Sequence, residues 1–337
     1  MTTLAVREID QAKAQAFSQK IVGIMVGGRL SLMISIGHQT GLFETLAGLP
    51  PATSPEIAEA AGLHERYVRE WLGAMVTGRI VEYDPERRTY RLPPEHALSL
   101  TRAGGPRNLA VGIYATSHLA RVEQAVLACF RNGGGVPYSA FEGWTRLTAE
   151  WTGRVFDATL VQRTLPAIPG VVAQLEAGID VADVACGSGR AVNVMARAFP
   201  NSRFVGYDFS EQAISAARTE AASWTLPNVR FELLDVEHID VQAAFDFITS
   251  FDGIHDQAQP AIVLANIARA LRRSGTFLMV DIAASSNLHE NMDDPLAPSK
   301  FAISTMHCMT LSLSQGASDS ARCGATSWRG RCSPRPA

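Results

Sequence analysis

Residues 181–192, VADVACGSGRAV, run from an apolar stretch holding one aspartate into small residues and glycines. That pattern predicts a buried strand, a tight turn that needs glycine's backbone freedom, and a helix beyond it. A dinucleotide, a phosphate group, a sulfonium cofactor or no ligand at all would each suit such a turn, and the surrounding residues discriminate among them.

After Gly178 the runs DVADVA, RFVGYD, VRFELLD, FDFITSF and GTFLMVDI alternate with helical segments such as EQAISAARTEAA and AIVLANIARALRR. Strands alternating with helices predict a doubly wound α/β domain with a Rossmann-like parallel sheet, whose ligands sit at the carboxyl ends of the strands. Within the turn, Gly187 and Gly189 supply G-x-G, but Val192 stands where a dinucleotide fingerprint has its third glycine. No Gly-Lys-Ser/Thr follows at Walker spacing, so a phosphate cradle drops out.

Two acids sharpen the choice. Asp208, closing the second strand, can accept two hydrogen bonds from a ribose diol, as nicotinamide and S-adenosylmethionine sites both require. Asp183, just ahead of the turn, would repel a pyrophosphate but attract the ammonium and sulfonium of S-adenosylmethionine. After the third strand, Asp235 and the backbone N–H of Val236 are placed to meet the amine and a ring nitrogen of adenine.

Upstream, Leu30, Leu32, Met33, Ile36, Leu42 and Phe43 recur at helical spacing between Gly28 and Leu49, with Gly41 as a helix stop. Residues 53–92 then predict a helix from Ser54, a turn at Gly62, a helix carrying Val68, Trp71, Leu72 and Met75, and two short strands about Asp84–Pro85. This is a winged helix in an otherwise all-α N-terminal domain. Its second helix pairs Arg66 and Arg69 with Glu65 and Glu70, which leaves few charges for phosphates and argues against nucleic acid as a partner. The domains are expected at 1–95 (winged helix), 96–175 (helical connector and lid), 176–313 (cofactor-binding α/β domain, incomplete) and 314–337 (irregular tail).

A net charge of −3 with 47% hydrophobic and 19% charged residues adds no broad attraction to nucleic acid. The mixed-charge start has no signal-peptide core and no apolar run reaches membrane-span length, which predicts a cytoplasmic protein. Cys129, Cys186, Cys308, Cys323 and Cys332 form no zinc-type spacing, so they are read as free thiols and no metal site is expected.

In order and spacing, DVACGSGR, FVGYD, LLDVE, FDFITSFDGIHD and LRRSGTFLMVD resemble the successive motifs of class I S-adenosylmethionine-dependent methyltransferases over residues 178–283. With the winged helix, the chain resembles the bacterial branch related to small-molecule O-methyltransferases. That resemblance implies a homodimer acting on a small molecule. It implies Asp183, Ala185, Gly187 and Gly189 around the methionine part, Asp208 on the ribose, and Asp235 and Val236 on the adenine; Phe209 and Phe251 are counted with these cofactor positions. Ala185 replaces the family's usual glycine.

Methyl transfer needs alignment and exclusion of water, and a hydroxyl acceptor also benefits from a base. His255, in IHDQ past the fourth strand, is the candidate, oriented by Asp256 or another acid. The alternative for this pair is structural, with Asp256 capping the next helix. Tyr138, in the glycine-rich stretch NGGGVPYSAFEGW, and Met306 and His307, in STMHCM, are candidate substrate contacts, with Tyr138, Phe141 and Trp144 forming a lid; the alternative is a plain loop, with these aromatics and STMHCM packed in the core. A different class also fits: a winged-helix transcriptional regulator whose methyltransferase-like domain senses the cofactor.

The tail GASDSARCGATSWRGRCSPRPA abandons all periodicity. Codons permitted for Ala321 to Ala337, read two bases later, encode an amphipathic helix, so a frameshift near residue 316 is expected.

Overall fold

The structure is a computed structural model and describes residues 9–316. The chain forms two compact units, one ending at Ser117 and the other starting at His118.

In the first unit, α1 (Gln11–Thr40) starts at Asp10, whose carboxylate accepts from the Lys13 N–H at 3.1 Å, and stops at Gly41 with φ 73°. The helix therefore begins well ahead of the apolar repeat that predicts it. Ile34, Gly37 and His38 near its end are buried, whereas Phe17, Ile21, Val22, Ile24, Met25 and Val26 lie exposed. Among the described residues α1 alone is long and apolar enough, by length and composition, to cross a membrane. This corrects the expectation that no segment reaches that length: the helix is interrupted by single charges, which a search for unbroken apolar runs misses.

Next, α2 (Leu42–Gly48) and α3 (Ser54–Ala61) precede α4 (Glu65–Thr77). Thr53 and Glu56 close a capping box at the start of α3, and Gly62 ends that helix at φ 65°. From α4, Val68, Trp71, Leu72 and Met75 face the core, with Trp71 Nε1 donating to Met33 O at 2.8 Å. A Cβ on Gly37 would lie 2.6 Å from both Phe43 and Trp71, so this glycine lets α1 approach the aromatic pair. The wing is an antiparallel hairpin of β1 (Glu82–Asp84) and β2 (Thr89–Arg91), with the Tyr83 and Tyr90 rings 4.8 Å apart. On the outer face of α4, Arg66 pairs with Glu70 and Arg69 with Glu65. After α5 (Pro94–Leu100), α6 (Ala110–Arg121) leads out of the unit.

The second unit opens with helices α7 (Glu123–Asn132), α8 (Trp144–Thr159) and α9 (Val171–Ala177). Then come β3 (Asp180–Val184), α10 (Arg190–Ala198), β4 (Arg203–Asp208), α11 (Glu211–Ser223), β5 (Val229–Leu233), β6 (Phe245–Phe251), α12 (Pro260–Ala270) and β7 (Leu271–Val280). The described chain ends in α13 (Ala297–Ile303), a π-helical turn over Ser304–Cys308, and α14 (Met309–Ser314).

The strands pair in parallel in the order β5-β4-β3-β6-β7. Both faces are covered, since alternate residues of each strand point to opposite sides. Val181, Phe204, Phe231 and Phe247 join one core with α10 and α11, and Ala182, Val184, Val205 and Ile248 join the other with α12. The chain starts the sheet at β3, builds outward to β5, then returns to β6 on the other side of β3. That reversal opens a crevice at the carboxyl ends of the central strands. The tail from residue 317 onward, where the frameshift is expected, lies outside the described residues.

Candidate functional site

The turn after β3 is held by local geometry. Ala185, Gly187 and Gly189 all have positive φ, at 59°, 54° and 72°. Cys186 N–H donates to Tyr207 O at 2.9 Å and Gly187 N–H to Asp208 Oδ2 at 2.8 Å, so the turn is tied to the end of β4. A left-handed conformation costs a non-glycine residue about 1–2 kcal/mol, and Ala185 bears that strain in place of glycine. Its methyl is accommodated by Gly253, where a Cβ would come within 2.7 Å of the Ala185 Cβ. Gly253 thus brings the loop after β6 against the turn.

Gly189 has no such allowance, because a Cβ there would meet Phe231 Cε1 at 2.5 Å and Ala217 Cβ at 2.7 Å. Gly189→Ala is expected to destabilise the unit by roughly 3 kcal/mol, combining backbone strain with overpacking. A melting temperature lowered by roughly 6–12 °C would register it; an unchanged one would show that Phe231 yields freely.

Two acids lie beneath and beside the turn. Asp183 is 2% exposed and accepts from Thr249 Oγ1 at 2.6 Å. Burial, with Asp208 nearby adding repulsion, pushes its carboxyl from 3.8 to about 7, against the lowering effect of Thr249. Burial also raises Asp208, opposed by the N–H groups of Ser210 and Gly187. Neither acid has an ion-pair partner among the described residues.

Because folded Asp183 holds its proton more tightly than the unfolded chain does, stability is expected to fall as pH rises from about 4 to about 7, and to level off above that. The displacement corresponds to about 4 kcal/mol at full effect. Urea unfolding across this window measures the slope, which Asp183→Asn should largely remove; an unaltered slope in that variant would assign it elsewhere.

The remaining cofactor candidates lie at neighbouring strand ends. Phe209 follows Asp208, half exposed, with the Tyr138 ring edge-on at 5.6 Å. Tyr138 shares a hydrogen bond with Thr145 Oγ1 at 3.0 Å, and its hydroxyl is raised by burial, with smaller contributions from Asp208 and Asp256. β5 ends at Leu233, two residues before the acid, and Asp235 instead caps the turn Val236–His238, accepting from the Glu237 N–H at 3.0 Å. Val236 is buried, and Phe251 packs edge-on against Phe156 at 4.9 Å.

Beyond Gly253 lies a second group of polar side chains. His255 Nδ1 is 2.6 Å from Asp281 Oδ1, and Nε2 is 3.2 Å from Asp256 Oδ1. Burial works against its charge, but Asp256, Asp281 and Cys308 outweigh that and hold the imidazole well above its ordinary value. Asp256 does not cap α12, which starts at Pro260 behind Gln259. His307 is buried instead in an aromatic stack, 4.2 Å from the Trp144 ring centre and 4.7 Å from that of Phe141. Its Nε2 has no hydrogen-bond partner among the described residues, and burial lowers its proton affinity. Met306, one residue earlier on the π-helical turn, is half-buried.

Asp281 and Cys308 were absent from the sequence-derived site. An acid ending the fifth strand was a usable signal for Asp281, by analogy with Asp208. Nothing in the spacing of Cys308 marked it.

A glycine turn and a strand-end acid at the carboxyl ends of a parallel, doubly wound sheet make a Rossmann-like α/β fold. Residues 28–102 match the family described as Rv2258c-like winged HTH domain, and residues 175–317 match the family described as Methyltransferase domain. The chain thus joins a winged helix-turn-helix domain to a methyltransferase domain.

It is 29% identical over 105 residues to malonyl-[acyl-carrier protein] O-methyltransferase of Bacillus cereus, covering 30% of this chain and 37% of that one. The chain spans between 37% and 52% of the lengths of the curated relatives it matches. Among solved structures, the mitomycin 7-O-methyltransferase MmcR superposes with TM-score 0.63 at 18% identity, covering 89% of this chain and 88% of that one. Human N-acetylserotonin methyltransferase in complex with SAM gives 0.66 at 15% identity, covering 91% and 88%. At these identities the structural likeness establishes the fold.

Proposed function

We propose that this protein is an O-methyltransferase that moves the methyl group of S-adenosylmethionine to a small hydroxylated acceptor. The observation that carries the reading is the pair of buried acids, Asp183 and Asp208, which meet no cation among the described residues. Buried carboxylates without a counter-charge favour a cationic ligand, which fits S-adenosylmethionine better than any pyrophosphate cofactor. The turn from Asp183 through Gly189 would hold the methionine part, Asp208 the ribose, and Asp235 with Val236 the adenine, with Phe209 and Phe251 beside them.

When bound, S-adenosylmethionine supplies a methyl group already activated on a positively charged sulfur. The protein's part is to align the acceptor, exclude water and receive the acceptor's proton. His255 Nε2 is the proposed proton acceptor once the imidazole, held protonated between Asp256 and Asp281 in the ligand-free protein, has released its Nε2 proton to solvent; Asp281 fixes Nδ1 and so the tautomer. Tyr138, Phe141 and Trp144 form a lid hinged at Gly133 and Gly134, which have φ 73° and 79°. Together with Met306 and His307 they would enclose the acceptor. The test is formation of S-adenosylhomocysteine from S-adenosylmethionine with a panel of phenols and alcohols; no product with any acceptor would count against the reading.

The same reading takes the protein as a cytoplasmic homodimer. Cys129, Cys186 and Cys308 are free thiols, as a reducing compartment allows. The apolar flank of α1 between Phe17 and Val26 is the surface two copies would bury. Light scattering is expected to give twice the chain mass, and a monomer would contradict it. A DNA-binding regulator is the weaker alternative, because both arginines on the outer face of α4 are already paired with glutamates of the same helix.

A further inference from the structure

We propose that His255, Asp256 and Cys308 form a binding site for a zinc-class divalent cation, backed by Asp281. An imidazole nitrogen, a carboxylate oxygen and a thiol sulfur lie here within 4.8 Å of one another. A tetrahedral site with metal–nitrogen and metal–oxygen bonds of about 2.0 Å and one metal–sulfur bond of about 2.3 Å has edges of roughly 3.3–3.5 Å between its protein ligands. His255 Nε2 and Asp256 Oδ1, at 3.2 Å, already make one such edge. Closing the others takes side-chain movement on the order of 1 Å.

The surroundings suit a cation. Asp256 Oδ1 is buried and makes no aligned hydrogen bond among the described residues, and the groups beside it are His255 Nε2 at 3.2 Å and the Cys308 thiol, whose protons a cation would replace. Asp281 Oδ1 accepts from His255 Nδ1 at 2.6 Å, the outer carboxylate contact that orients metal-binding histidines and makes their other nitrogen a better donor. Cys308 is 5% exposed and ends a π-helical turn, a local insertion frequent at functional sites. One sulfur, one nitrogen and one oxygen donor favour zinc or cobalt over magnesium or calcium, which prefer oxygen ligands throughout. Three protein ligands leave the fourth tetrahedral position for water or an acceptor oxygen.

On binding, the Cys308 thiol proton and any proton on Nε2 pass to solvent, and the cation takes their place. If His255 is the base proposed above, the cation occupies the lone pair that would receive the acceptor's proton, so a loaded site silences transfer. This consequence rests on the base role, whereas binding does not.

Titration of the full chain with Co²⁺, followed by visible and near-ultraviolet absorption, tests the site without any turnover. One equivalent is expected to produce tetrahedral cobalt bands with a thiolate-to-cobalt charge-transfer band, and Zn²⁺ should bleach both. Cys308→Ala should abolish the charge-transfer band, with Cys308→Ser as the second variant if the alanine form does not fold. Asp281→Asn should weaken Co²⁺ binding about 10–100-fold. Absence of the charge-transfer band in the unaltered protein, or its persistence at full intensity without Cys308, overturns the proposal. Failure of the methyltransferase reading would appear separately, as no S-adenosylhomocysteine from metal-free protein.

Discussion

Asp208→Ala is expected to remove measurable S-adenosylmethionine binding while the protein stays folded. Each oxygen of this carboxylate accepts one backbone N–H, Gly187 at 2.8 Å and Ser210 at 2.9 Å. Each retains a further lone pair, which is what a ribose diol would use. Two charge-assisted bonds at about 1.5–3 kcal/mol apiece together amount to more than a hundredfold in affinity. The alanine variant also frees the turn from β4, because Gly187 N–H loses its acceptor, so the loss should exceed the direct contacts. Stability should suffer less, since burial of the charge is itself unfavourable and raises the Asp208 carboxyl in the ligand-free protein. Calorimetry decides the matter, with near-ultraviolet circular dichroism confirming the fold. Unchanged affinity in a folded variant would remove the ribose role and with it the strongest residue-level support for the cofactor site.

What could be read from sequence follows how local the signal is. The central strands β3, β4 and β6 stood out as apolar runs because a strand covered on both faces has little polar alternation, whereas β5 at the sheet edge alternates Arg230 and Glu232 with apolar residues. Gly41 and Gly62 marked helix ends because each occupies a left-handed cap. Asp183, Gly187 and Gly189 were legible together because a strand-to-helix turn fixes its neighbours over a short span, and Asp208 because the next parallel strand ends beside that turn. The His255 group was not. Asp281 and Cys308 reach it from β7 and from the turn before α14, and only the folding of the sheet and the helices after it joins them. The proton affinity of His255 is likewise set by partners that sequence spacing does not reveal. Met306 and His307 share one segment, yet the ring of His307 lies against Trp144 and Phe141, a pairing across distant positions.

His255→Ala is expected to lower methyl transfer to a phenol by about a hundredfold or more, the usual contribution of a positioned base, while cofactor affinity changes little. The substitution has a structural cost of its own. It leaves the half-buried Asp256 and Asp281 without the cation between them, and removing one partner of such an ion pair costs less than the roughly 3–5 kcal/mol of a fully buried one. His255→Gln separates the two effects, because its amide can still donate to an acid but cannot take up the acceptor's proton. Both variants should therefore lose turnover, and the glutamine form should melt higher than the alanine form. The acceptor supplies a further discrimination: a thiol ionises at about 8.5 and a phenol at about 10, so a thiol needs less help from a base. Turnover with a thiol should fall much less than with a phenol. Equal losses for the two acceptors would make His255 a positioning residue, and a loss under about tenfold in both variants would remove it from the reaction.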